Sequence, residues 1–150
     1  MLKKGDQLPD ISLPNQNGDT VSLTEFTGEK NLVIYFYPKN NTKVCTAQAC
    51  SFRDSYEEFQ DLGAEVIGIS LDSVDSHASV ATDRSLPFIL LSDPKKSAMK
   101  AFGVPVRFGL LTKRITFVIN KEGKIIHTFH SEFFAQKHVD EAIKILKAQG

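Results

Sequence analysis

Leu32-Val33-Ile34-Tyr35-Phe36-Tyr37-Pro38-Lys39-Asn40-Asn41-Thr42-Lys43-Val44-Cys45-Thr46-Ala47-Gln48-Ala49-Cys50 is the stretch on which the fold turns. Its first six residues are apolar on both alternating faces, the pattern of a central strand covered on both sides by helices. Beyond Pro38 the period changes. Cys45, Ala49, Phe52, Tyr56 and Phe59 recur every three or four residues, while Gln48, Arg53, Asp54, Glu57 and Glu58 fall elsewhere, which predicts one amphipathic helix running to Leu62 and stopped by Gly63. The aromatic stripe is read as core, with no ligand role. A cysteine thus stands where a strand hands over to a helix. The unpaired N–H groups of a helix start carry the positive end of its dipole and favour thiolate over thiol, so Cys45 is a candidate nucleophile.

Upstream, Ile11 to Leu13 and Thr20 to Leu23 flank Asn17-Gly18, a two-residue hairpin signal, and Thr24 is the expected cap of a short turn ending near Gly28. Downstream, Glu65 to Leu71 reads as a second buried strand in which Gly68 permits close backbone approach, followed by a helix capped at Asp72 or Ser73 and reaching about Arg84. Phe88 to Leu91 is a third apolar run, and Asp93-Pro94 predicts an N-cap and first-turn proline for a helix stopped by Gly103. Arg114 to Asn120 and Ile125 to His130, joined by Lys121-Glu122-Gly123-Lys124, read as a hairpin, and a last helix over Ala135 to Ala148 presents Val139, Ala142, Ile143 and Leu146 on one side. The order suits an α/β fold: a mixed β-sheet with helices on both faces and an N-terminal β-hairpin.

With 150 residues and no proline- or serine-rich break, one domain over residues 1–150 is expected, large enough to fold without staples. Eighteen basic residues balance eighteen acidic ones, so no overall field draws the chain to nucleic acid or to an anionic membrane. The N-terminus Met1-Leu2-Lys3-Lys4-Gly5-Asp6 lacks the apolar core of a secretory signal, and no run approaches the ~20 apolar residues of a membrane span; a soluble, cytoplasmic protein is the expectation. Two cysteines are too few for a secreted disulfide framework, and in a reducing compartment such a pair points to catalysis, redox sensing or metal binding. Cys-x4-Cys with His127-x2-His130 is not a structural-zinc spacing, so no metal site is expected, and no nucleophile elbow, Walker loop or dinucleotide fingerprint is present.

The spacing Pro38-x-x-x-Thr42-x-x-Cys45 resembles the active-site signature of the peroxiredoxins, and Cys50 five residues on resembles the peroxiredoxin Q (bacterioferritin-comigratory protein) branch. Gly5-Asp6-x-x-Pro9, Gly18-Asp19-x-Val21-x-Leu23, Leu91-Ser92-Asp93, Phe102-Gly103-Val104 and Arg114-Ile115-Thr116-Phe117-Val118-Ile119 fall in the same order and extend the likeness over nearly the whole chain. Two features depart from that branch: Lys43-Val44 stands where Pro-Gly is usual, and the loop Pro105 to Lys113 is shorter.

The resemblance implies a thioredoxin-like fold and a thiol-dependent peroxidase without bound cofactor. It would reduce hydrogen peroxide and organic hydroperoxides, most simply as a monomer. Cys45 would attack, Thr42 would hold the peroxide, Pro38 would shield the sulfur, Arg114 would supply positive charge, and Cys50 would resolve the sulfenic acid as a disulfide that thioredoxin or a similar dithiol reduces. By spacing alone Arg114 also reads as a strand-end ion pair, Thr42 as a helix cap and Cys50 as a small buried hydrophobe, with Lys113 and Arg107 as rival cations. A general disulfide reductase would need the Cys-x-x-Cys pair that is missing here; a redox sensor or holdase using the same disulfide is the other reading. Residues five apart on a helix have Cα atoms roughly 8–9 Å apart, beyond the ~4.4–6.8 Å a disulfide accepts, so the helix start would have to unwind for Cys45 and Cys50 to bond.

Overall fold

The computed structural model describes residues 1–109 and 111–149. Its centre is a five-stranded sheet in the order β5 (Ile89–Ser92), β4 (Ala64–Ser70), β3 (Asn31–Phe36), β8 (Ile115–Ile119), β9 (Ile125–His130). The first three run parallel; β8 and β9 are antiparallel to their neighbours. All six residues of β3 are buried, as both-sided apolarity requires of a middle strand. One face, carrying Ile34, Phe36, Ile67 and Phe117, packs against α4 (Ser97–Phe102) and the N-terminal hairpin of β1 (Ser12–Pro14) and β2 (Thr20–Ser22). The other, carrying Val33, Tyr35, Val66 and Val118, lies under α1 (Lys43–Asp54), α2 (Tyr56–Asp61), α3 (Val74–Asp83) and α5 (Ala135–Gln149). A short ribbon, β6 (Val106–Arg107) with β7 (Leu111–Thr112), stands apart from the sheet.

Gly68 is the close approach expected of it. A Cβ there would lie 2.8 Å from the Tyr35 ring and 2.9 Å from Leu90, and the space goes to an aromatic stack in which Tyr35 lies 4.6 Å from Phe52 and 5.3 Å from Tyr37. The outer edge of β5 is dressed by the hairpin loop. Gln16 Nε2 donates to Phe88 O at 2.9 Å, and its Oε1 accepts from Leu90 N at 3.0 Å.

Several boundaries differ from expectation, each for a local reason. The helix after the nucleophile candidate breaks at Ser55, leaving α1 and α2 where one helix was predicted; Asp54 and Ser55 have short polar side chains that compete with the helical ladder. The turn after β2 is a 3-10 helix over Leu23–Phe26 capped by Ser22, whose N–H donates to Glu25 Oε1, while Thr24 donates to Asp10. Asp93 does cap α4, but from a distance: its carboxylate accepts from the N–H groups of Ser97, Ala98 and Met99. Pro94 therefore lies in a turn ahead of the helix, and Lys96 enters the helix in the left-handed region. In α3 the cap is Ser73, which accepts from Ser76 N.

Candidate active site

Strand β3 ends at Phe36, and the chain crosses above the sheet before α1 begins at Lys43. That crossing is held by a buried network. Tyr37 donates its hydroxyl to Asn40 Oδ1 at 2.7 Å, Asn40 N donates to Asp72 at 2.9 Å, and Asn40 Nδ2 donates to His77 Nδ1 at 3.0 Å. His77 completes it by donating from Nε2 to Leu91 O at 3.0 Å. Burial pushes the His77 imidazole down, against the Asp72 charge and the Leu91 bond, so the ring is a neutral strut.

Cys45 lies in the first turn of α1 and is 3% exposed. Arg114, just ahead of β8 and itself buried, donates from Nη2 to Cys45 Sγ at 3.3 Å and from Nη1 to Gln48 Oε1 at 2.6 Å. Its Nε donates to Glu132 O and its backbone N–H to Glu132 Oε2, each at 3.1 Å. His130 Nε2 donates to the same Glu132 oxygen at 2.6 Å. Burial pushes the Glu132 carboxyl up, but the hydrogen bonds from the Arg114 amide and His130, with the charges of both residues, outweigh it and hold the group below its ordinary value. Arg114 thus brings its guanidinium to the sulfur in the first turn of α1.

On the far side of Arg114 a cleft of about 410 Å³ is lined by Pro38, Thr42, Lys43, Val44, Arg107, Thr112, Lys113, Arg114, Glu132 and Phe133, whereas Cys45 lines a much smaller hollow with Tyr37, Asn40, Thr46 and Ala49. Thr42 occupies the N-cap position of α1, yet its side chain does not cap; its hydroxyl donates to Lys39 O at 2.9 Å. Its oxygen lone pairs therefore remain available in the cleft. Pro38 is half-buried in the same wall. The rival cations Lys113 and Arg107 also reach the cleft, and the hydrogen bond to the sulfur belongs to Arg114. A larger groove of about 510 Å³ lies at the opposite end of β3, between Asn31, Asn120 and Lys147, and no cysteine or histidine lines it.

Five sequence candidates thus separate into three groups. Cys45 and Arg114 are in contact; Pro38 and Thr42 flank the opening; Cys50 sits further along α1, half-buried and outside the cleft lining, with both thiols free. Two further residues of the site, Gln48 and Glu132, escaped the sequence reading. Gln48 was set apart as polar, although 45, 48, 49 and 52 form one helical face and its side chain is fully buried. Glu132 had no signal of its own. His127 and His130 face Glu141 and Glu132, and among the described residues no group of three or more His, Cys, Asp or Glu is placed to hold a metal. No helix among them is long and apolar enough to cross a membrane.

Residues 4–128 match the model of the AhpC/TSA family. Peroxiredoxin Q of Sedum lineare is 47% identical over 148 residues, covering 98% of this chain and 79% of that one; peroxiredoxin Q of Arabidopsis thaliana is also 47% identical, covering 98% and 68%. Among solved structures, peroxidoxin BcpB of Mycobacterium tuberculosis superposes with a TM-score of 0.93 at 36% identity, covering 99% of this chain and 98% of its own. A mutant of Xylella fastidiosa PrxQ gives 0.90 at 28% identity, covering 99% and 98%. Both plant relatives are named as chloroplastic, which corrects the cytoplasmic expectation. Targeting leaders are separate from the folded domain, so an N-terminus that looks leaderless is no guide to compartment.

Proposed function

Because the chain belongs to the AhpC/TSA family and, within it, to the thiol peroxidases of the peroxiredoxin Q branch with their thioredoxin-like fold, we propose that Cys45 is the sulfur that attacks the peroxide and Arg114 the cation that drives the step. The observation that carries this reading is the 3.3 Å hydrogen bond to Cys45 Sγ from Nη2 of Arg114, a residue that also lines the open cleft. The thiolate attacks the nearer peroxide oxygen, an S–O bond forms as the O–O bond breaks, and the leaving oxygen takes up a proton and departs as water or an alcohol. Negative charge moves from sulfur to the leaving oxygen during that transfer. A guanidinium already fixed through Nε to Glu132 O and through Nη1 to Gln48 Oε1 stabilises it without reorganising.

Thr42, with its proton committed to Lys39 O, accepts from the hydroperoxide O–H and aligns it, while Pro38 keeps bulk water from the sulfur. The product on Cys45 is a sulfenic acid. Cys50 attacks that sulfur, expels the hydroxyl as water and leaves a Cys45–Cys50 disulfide. A dithiol of the thioredoxin type then returns both thiols by two exchanges, ending as a disulfide itself. The working unit of this scheme is a single copy.

The test is peroxide consumption with a thioredoxin system. Cys45→Ser should be inactive with every reductant, whereas Cys50→Ser should consume one equivalent and stall as sulfenic acid, recovering partly with small thiols. Sustained turnover by Cys45→Ser would overturn the assignment, and an unmodified Cys45 in the stalled variant by mass spectrometry would remove Cys50 from its role.

A further inference from the structure

We infer that Glu132 is a positioning residue for Arg114, fixing the angle at which the guanidinium meets the sulfur. Arg114 stands at the mouth of β8, one residue before the sheet pairing of Ile115 with His130 begins, so sheet hydrogen bonds do not hold its backbone. Glu132 supplies the hold instead, and does so at two points on the same residue. Its carboxylate accepts from the Arg114 backbone N–H, and its main-chain carbonyl accepts from Arg114 Nε, both at 3.1 Å. The first fixes where the side chain starts and the second fixes the rotation of the guanidinium plane. With Nε tied, Nη1 and Nη2 are delivered to Gln48 and Cys45.

The bracket is itself braced from two sides. His130 donates to the Glu132 carboxylate at 2.6 Å. On the interior side the fully buried His138 donates from Nε2 to Ser131 O at 2.8 Å and accepts at Nδ1 from the Thr116 hydroxyl at 2.7 Å, pinning the peptide next to Glu132 to α5 and β8. A carboxylate beside the only guanidinium that touches Cys45 among the described residues works against thiolate if charge is all it contributes, since it offsets part of the positive field. Its presence is explained by geometry: a guanidinium displaced by about 1 Å loses far more than a partly compensated one, because misplacement on that scale can cost on the order of 100-fold in rate.

This inference rests on Cys45 as the nucleophile and Arg114 as its cation, so the experiment carries Arg114→Met alongside Glu132→Ala and Glu132→Gln. The readouts are the single-turnover rate of Cys45 oxidation by hydrogen peroxide, the ultraviolet absorbance of the thiolate, and the thermal midpoint. Glu132→Ala should slow oxidation roughly tenfold and diminish the thiolate signal at neutral pH. Glu132→Gln, which keeps an oxygen for the Arg114 N–H but no charge, should recover most of both, a rescue that a purely structural loss would not produce. If Glu132→Ala reacts as fast as the parent or faster while Arg114→Met is slow, the positioning role is wrong and the assignment of Arg114 stands. Equal slowing by Ala and Gln would show that an oxygen held to the Arg114 N–H is not what matters and would overturn the positioning role. Parent-like oxidation in Arg114→Met would overturn the underlying assignment and this inference with it.

Discussion

Gln48 Oε1 accepts a 2.6 Å hydrogen bond from Arg114 Nη1, and both residues are buried. The contact joins the helix that carries the sulfur to the strand that carries the cation. Gln48→Leu keeps the volume and removes the acceptor, so Arg114 loses one of its anchors. Its peroxide step should slow about tenfold, in line with the loss of one supporting hydrogen bond to a charged group. Gln48→Glu should be slowed as well, because a carboxylate at that point draws the guanidinium's field away from Cys45. Single-turnover oxidation of each variant checks this, and parent-like rates in both would show the contact to be incidental.

In the reduced protein Cys45 and Cys50 lie on one continuous helix, both thiols free. A bond between them requires the start of α1 to open, as the helical spacing requires. Phe52, fully buried and stacked 4.6 Å from Tyr35, sets the limit of the opening. Oxidation should therefore remove amide protection from Lys43 to about Ser51 and leave it intact from Phe52 onward. Hydrogen exchange on reduced and oxidised protein measures this directly. Full protection across α1 in protein shown to contain the disulfide would refute it.

Gly68→Ala would place a methyl group 2.8 Å from the Tyr35 ring and 2.9 Å from Leu90. Overpacking of this kind costs about 1–3 kcal/mol, and the ring cannot retreat without disturbing Phe52 and Tyr37. Urea denaturation should show a lower midpoint with the slope unchanged; an unaltered midpoint would mean that the stack yields more readily than its geometry implies.

His138 is held neutral. Burial pushes its pKa down to about 4, with the Arg114 and His130 charges adding to the effect and the Ser131 bond and Glu132 opposing it. The unfolded chain, in which the ring titrates near its ordinary ~6.5, binds the proton first as pH falls. This contribution to stability is thus complete above about pH 6.5 and is lost progressively down to about pH 4, in total on the order of 3 kcal/mol. His77, depressed chiefly by burial, acts in the same direction, and the lowered Glu132 carboxyl adds a loss that begins as pH falls through the ordinary carboxylate range. Denaturant titrations between pH 7.5 and 5 should show the decline already in the histidine range, and His138→Gln should flatten it. An equally steep slope in that variant would assign the effect elsewhere.

The sequence made the sheet and the candidate nucleophile legible because both rest on local signals. Uninterrupted apolarity marks β3, and a cysteine at a change of period from two to 3.6 marks the helix start. Arg114 was found through resemblance, since nothing local separates it from Lys113. Only the three-dimensional arrangement, with Arg114 buried and its neighbour half-buried, does so. Gln48 was hidden by its polarity, which outweighed its place in the helical stripe. Glu132 was hidden because its partner is eighteen residues away across a hairpin. The delayed start of α4 was missed because it depends on where the Asp93 carboxylate finds hydrogen bonds, and periodicity does not encode that.

In the proposed cycle, opening the start of α1 would loosen the cover over the sheet beside Cys45 at each turnover while Phe52 stays stacked on Tyr35. Moments of this kind are hazardous for a protein with an open strand edge, which another copy can extend. The Gln16 amide, bonded to Phe88 O and Leu90 N, occupies the outer rim of β5 with a side chain that mimics one peptide unit of a further strand. It meets the hydrogen-bonding demand there while offering a newcomer no continuing backbone. The N-terminal hairpin thereby guards against fibrous self-association at β5, and the protection persists while α1 is open because it is built on the opposite face of the sheet.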